Sequence, residues 1–163
     1  MAKREKIDKT NAMRELDRAG IPYTCREFEE EDLSRGLGLR MALEGGVDPD
    51  SSFKTLVTVA PNGDHVVCCI PVGEELDFKK AAAAAGEKSL SMLPTKDLEA
   101  TTGYVRGGCS PLGMKKSFPT LIDETAQLFD EVGVSGGRRG LSLRLEPNAL
   151  ADFCGATFAD IVR

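Results

Sequence analysis

The chain has 163 residues, 41% hydrophobic and 29% charged, which suits one globular domain, 1–163, able to bury a core without disulfide or metal staples. A net charge of −5 argues against a protein that coats nucleic acid by phosphate neutralisation, and 6% aromatic residues with no Trp leave little for a site of stacked bases. Five cysteines without ligand spacing, including the adjacent Cys68-Cys69, and a single histidine, His65, argue against a disulfide framework or a zinc site. The run MAKREKIDKT lacks the apolar stretch of a secretory signal, and no segment approaches the roughly 20 apolar residues of a membrane span. A cytoplasmic location with reduced thiols is the expectation, with no membrane partner.

In chain order, Thr10 before NAMRELDRA predicts a capped helix whose Ala12, Met13, Leu16 and Ala19 share a face, with Gly20 as its stop. IPYTCREF alternates and reads as a strand, and EFEEEDLSRGLGLRM as the acidic start of a helix. FKTLVTVA and HVVCCIPV flank Asn62-Gly63, a strong short-range hairpin signal. LDFKKAAAAAG is a helix closed by Gly86, and PTKDLEATTG another, capped by Thr95 and stopped by Gly103. PTLIDETA, FDEVGVS and LSLRLEP read as strands, the last two joined by the turn GGRRG. Pro147 opens a last short helix ended by Gly155, and ATFADIV closes the chain as a strand. Without a regular βα repeat, the order predicts an α+β domain with a mixed, mainly antiparallel, barrel-like sheet surrounded by helices.

The chemistry concentrates in GYVRGGCSPLGMKK, residues 103–116. The run matches neither a Walker A loop nor GxGxxG, and Ser110 is not in a GxSxG elbow. Gly107-Gly108 is either a tight connection or a place where backbone approaches a ligand and its N–H groups form an anion nest. Cys109 and Ser110 are nucleophiles only beside a base, and His65 stands at a hairpin turn. Lys54 is either a solvated strand end or a cation placed for a developing oxyanion. VSGGRRG, 134–140, is either an exposed hairpin or a second loop in which Ser135, Arg138 and Arg139 meet phosphate. With Arg106, Lys115 and Lys116, two converging glycine-rich turns would give a small pocket with a basic rim, sized for the end of one nucleic acid strand.

Taken together, KTNAMRELDRAGIPY, SFKTLV, TTGYVRGGCSPLG with its following MKK, and VSGGRRGL, in that order, resemble the YbaK/EbsC family of bacterial aminoacyl-tRNA deacylases. The similarity runs from about Thr10 to Val162. It implies an α+β barrel-like editing domain that cleaves the ester between an amino acid and the tRNA 3′ end, with no metal or organic cofactor and no DNA partner. The expected substrate is mischarged Cys-tRNA(Pro), with Cys-tRNA(Cys) beside it, and the expected partner is prolyl-tRNA synthetase. Lys54, Gly107 and Gly108 match the catalytic positions. Thr55, Ser110, Pro111, Ser135 and Gly136 match the substrate-binding ones. Phe28 stands where the family often has a tyrosine near the pocket, and Cys109 where an aliphatic residue is common. In such enzymes the substrate's own thiol attacks the ester, so no protein nucleophile is implied. The alternatives are a deacylase of another mischarged tRNA such as Ala-tRNA(Pro), which needs a positioned water, and a binding module without catalysis.

Overall fold

The computed structural model describes residues 8–27 and 48–163; Phe28 and the acidic helix start lie outside the described residues. Helix α1 (Asn11–Ala19) begins where expected because the Thr10 hydroxyl accepts the Met13 N–H at 3.3 Å. It ends at Gly20, and its buried Ala12, Met13 and Leu16 form the predicted face. The next strand, β1 (Thr24–Glu27), is shorter than IPYTCREF, since Ile21–Tyr23 stay outside any ladder. Strands β2 (Phe53–Val59) and β3 (His65–Pro71) form the expected hairpin. Its turn carries Asn62 and Gly63 within a five-residue connection, where Gly63 N–H donates to the Ala60 carbonyl and Ala60 N–H to that of Asp64.

Helix α2 (Phe78–Ala85) is capped by Asp77, and β4 is the dipeptide Ser91–Met92. Helix α3 (Thr95–Thr102) differs from expectation at its start: Thr95 is its first residue, Pro94 precedes it, and no side chain caps it. After the glycine-rich stretch come β5 (Thr120–Asp123), β6 (Val132–Ser135), β7 (Leu141–Leu145), α4 (Pro147–Cys154) and β8 (Thr157–Ala159).

The α+β class matches the expectation, with the strands arranged in two sheets rather than around one closed ladder. One sheet runs β1-β7-β6, all antiparallel. The other runs β4-β2-β3-β5-β8, antiparallel across β4-β2-β3 and parallel across β3-β5-β8. A parallel bridge between Ser52 and Gly133 joins the two sheets.

Two apolar clusters explain the sequence of the central strand. Val67 and Cys69 of β3 pack with Phe53, Val57, Leu16, Val134 and Leu143 between the sheets. Val66, Cys68 and Ile70 face α2 with Ala81, Ala82, Leu121 and Ile161. A strand covered on both faces reads as a continuous apolar run. Adjacent Cys68 and Cys69 therefore enter different cores as small hydrophobes, as successive strand residues must.

Candidate active site

Leu141, Leu143 and Leu145 alternate into the core, which leaves Ser142 and Arg144 on the other face of β7. On β6, Val132 and Val134 turn inward, so Gly133 and Ser135 share that second face, and Ser135 lies directly opposite Ser142. A Cβ built on Gly133 would stand 3.0 Å from an Arg144 guanidinium nitrogen and 3.5 Å from the Ser52 hydroxyl, so Ser52 projects to the same side. Carried two residues further, the parallel Ser52–Gly133 register sets Lys54 beside Ser135 on one face. Lys54, Ser135, Ser142 and Arg144 thus form a polar surface where β2 meets the three-stranded sheet. Lys54 is half-buried, and its side chain has no ion pair or hydrogen bond among the described residues. Arg144 is anchored, donating to the Ser51 hydroxyl at 2.9 Å and the Glu131 carbonyl at 3.3 Å.

Ser135 opens the β6–β7 turn, and its hydroxyl accepts the Gly137 N–H at 3.2 Å. Gly136 leaves no room for a side chain, since a Cβ would sit 2.6 Å from Leu141 Cγ. The first glycine loop packs straight onto this turn. A Cβ on Gly108 would lie 3.0 Å from Arg138 Cα and 3.1 Å from Arg139 N, both backbone. Arg139 Nε donates to the Arg106 carbonyl at 2.7 Å, and its stem runs beside Gly107, whose φ of 86° suits only glycine well. The two glycine-rich turns therefore converge, the condition on which a shared pocket depended.

Their basic residues do not all reach outward. Arg138 is tied to Glu27 and to the Asp8 carbonyl, and Arg139 braces the first loop. Both arginines work as structural clamps, and the phosphate role considered for them finds no support in these partners. Arg106, Lys115 and Lys116 remain exposed.

Inside the first loop, Gly108 N–H closes a turn on the Val105 carbonyl at 3.0 Å. The N–H groups of Gly107 and Cys109 have no acceptor among the described residues, so these two, on either side of Gly108, are the available donors. Ser110 is fully buried and its hydroxyl accepts the Leu112 N–H at 3.2 Å, which makes it a loop-shaping residue. The Pro111 carbonyl accepts from the Cys154 thiol at 3.6 Å. The loop base is fixed by Tyr104, whose hydroxyl donates to the Leu112 carbonyl at 2.6 Å. Thr55 lies on the opposite face of β2 from Lys54, its hydroxyl 3.8 Å from the Cys69 sulfur, so the strand does not bring the two together.

No activated side-chain nucleophile stands at this surface among the described residues. Burial pushes the Cys109 thiol up to about 12, which disfavours the reactive thiolate. His65 sits edge-on to Phe118 at 5.4 Å. It pairs with Val59, whereas Lys54 pairs with Ile70, so the two lie about 17 Å apart along the hairpin. The described residues contain no group of three His, Cys, Asp or Glu able to hold a metal ion, and no helix among them is long and apolar enough to cross a membrane. What the surface and the adjoining loops offer is the Lys54 and Arg144 cations, hydroxyls and backbone N–H groups held by close glycine packing. Ser142 and Arg144 were not among the residues read from sequence; the alternation in LSLRL was the signal that marks them.

Comparison with known proteins places these features in context. Residues 39–153 match the family model described as the aminoacyl-tRNA editing domain. A relative from Enterococcus faecalis, EbsC, designated a candidate Cys-tRNA(Pro)/Cys-tRNA(Cys) deacylase, is 47% identical over 99% of this chain and 98% of its own length. A candidate trans-editing enzyme for prolyl-tRNA synthetase has a similar solved structure, with a TM-score of 0.81 at 23% identity over 96% of this chain and 99% of that one. Hypothetical protein APE2540 superposes with a TM-score of 0.84 at 21% identity, covering 94% of this chain and 100% of that one. At those identities the two structures speak to the fold alone.

Proposed function

The chain belongs to the aminoacyl-tRNA editing domain family, and from that premise we propose that residues 1–163 act as one trans-editing deacylase that cleaves mischarged Cys-tRNA(Pro), and Cys-tRNA(Cys) with it. The observation that supports the reading is the parallel register that brings Lys54 towards Ser135, at the turn on which the first glycine loop packs, with that loop's own thiol buried. Such a site orients an ester and stabilises developing charge; it does not supply the attacking atom.

The substrate supplies it. The cysteine sulfur attacks its own carbonyl carbon, a C–S bond forms, and the C–O bond to the terminal adenosine breaks. The ribose oxygen takes the proton that the thiol gives up, and the products are a cyclic thiolactone and free tRNA. Alignment of an intramolecular attack contributes as much as ~7–11 kcal/mol. Oxyanion donors add about 3–4 kcal/mol each, a role for the Gly107–Cys109 backbone with Lys54 as the nearby cation. Ser110, Pro111, Ser135 and Gly136 shape the substrate site in this reading, Ser110 and Gly136 by holding the two loops in form, while Phe28 and Thr55 are assigned to it by the family motif alone.

Mass spectrometry of a quenched reaction tests the route. The thiolactone precedes free cysteine if the substrate thiol attacks; cysteine released directly, with no thiolactone at any time, would overturn it. Replacing Cys109 is the matching control. Cys109→Ala keeps its deacylation rate within about threefold, because a buried small hydrophobe is lost and no reacting group with it. A collapse of activity would return the nucleophile to the protein.

The domain's net charge of −5 leaves little general attraction for tRNA. Prolyl-tRNA synthetase is the partner that would bring the correct tRNA to it, and the cytoplasm, where both reside, is its place of action.

A further inference from the structure

A groove of about 300 Å³ lies between α1 and the two ends of the first glycine loop. Its walls carry Asn11, Arg14 and Arg18 from α1 and Lys115 from the loop, with Glu15 and Tyr104 deeper. Arg14 and Arg18 stand one helical turn apart and are exposed. Lys115 is placed by its backbone, whose N–H donates to the Thr102 carbonyl at 3.0 Å. Its stem lies over Gly103, where a Cβ would approach Lys115 Cγ to 3.2 Å. Lys9, Lys80, Arg138 and Arg163 meet carboxylates. The side chains of Arg14, Arg18 and Lys115 have no such partner among the described residues. Three cations without a carboxylate partner among the described residues, around one cleft, are conspicuous on a chain of net charge −5.

We propose that this groove holds the sugar-phosphate backbone of single-stranded RNA leading to the reacting 3′ end. The three cations are exposed at the rim and suit phosphates. Glu15 is half-buried below them and opposes a bare anion there, but it accepts from ribose hydroxyls or base amino groups. That pairing fits a nucleotide better than inorganic phosphate. A duplex needs a longer cationic surface than one cleft provides. Position supports the same occupant, since Gly103 and Gly113 at the groove begin and end the segment whose tip is Gly107-Gly108. At most about 14 Å of chain separates Gly103 from Gly107. An RNA strand with its ester at the tip reaches the groove within a few nucleotides.

The inference rests on the deacylase reading, so its test uses uncharged RNA and no ester cleavage. Binding of a tRNA acceptor-stem hairpin ending in single-stranded CCA is measured against salt for the wild type and for Arg14→Gln/Arg18→Gln. The double variant is expected to bind at least about tenfold more weakly, with the log–log salt slope reduced by about 1.4, or 0.7 per lost phosphate contact. The Lys79→Gln/Lys88→Gln variant, which removes exposed cations outside the groove, is expected to bind as the wild type does. Unchanged affinity and slope in the Arg14/Arg18 variant, equal weakening in the Lys79/Lys88 control, or equal wild-type binding of a blunt hairpin would each overturn the proposal. Failed deacylation with groove-dependent RNA binding would instead count against the enzymatic reading alone.

Discussion

Lys54→Ala is expected to lower the single-turnover rate of Cys-tRNA(Pro) deacylation by about 10²–10³-fold while leaving the protein folded. The rate falls because the cation that the Ser52–Gly133 register brings towards Ser135 is removed from the developing oxyanion. The fold survives because the Lys54 side chain is half-buried and makes no ion pair or hydrogen bond among the described residues. Its strand is held instead by the Phe53 and Val57 side chains and the β2–β3 ladder. A midpoint shift within about 1 kcal/mol is consistent with that environment. Thermal unfolding and single-turnover kinetics on one preparation separate the two effects. A folded Lys54→Ala variant with wild-type turnover would remove the residue from the mechanism.

Gly108→Ala is expected to cost about 10–100-fold in rate through a methyl group that never touches substrate. Its Cβ would lie 3.0 Å from Arg138 Cα and 3.1 Å from Arg139 N. Backbone walls do not rotate away as a side chain does, so one loop must shift by a few tenths of an ångström. Both candidate donors, the Gly107 and Cys109 N–H groups, adjoin the displaced residue, and near-attack geometry is sensitive on that scale. The effect should appear in the chemical step rather than in tRNA affinity, because the loop's basic neighbours are unchanged. A wild-type single-turnover rate would show that loop-to-loop contact does not set the reacting geometry.

Local chemistry made much of this fold legible. Thr10 caps α1 through one hydrogen bond to its own third residue onward, and Asn62-Gly63 turns two β-branched runs that pair in full register. The glycines after each helix mark the stops at Gly20, Gly86, Gly103 and Gly155. Non-local pairing was not legible in the same way. The parallel neighbours β3, β5 and β8 are separated by long connections, and no residue pattern names a partner strand. The same holds for the Ser52–Gly133 bridge, which brings Lys54 to Ser135 across about 80 residues of sequence. At the site, the family motifs picked out both loops, and the structure packs one against the other. They did not show that Gly108 N–H is occupied by Val105, that Ser110 is buried, or that Arg138 and Arg139 are clamps. Those outcomes depend on which groups meet across the fold, and residue type does not fix that.

Substrate-assisted attack makes a sharp demand on the amino acid, because alanine and proline carry no sulfur to close on the carbonyl. The most direct test is the rate of ester cleavage for Cys-, Ala- and Pro-tRNA(Pro) under one set of conditions. The account predicts rapid loss of cysteine, with alanine and proline released no faster than in buffer. Cleavage of Ala-tRNA(Pro) at a rate matching Cys-tRNA(Pro) would contradict it and require a positioned water in place of the substrate thiol.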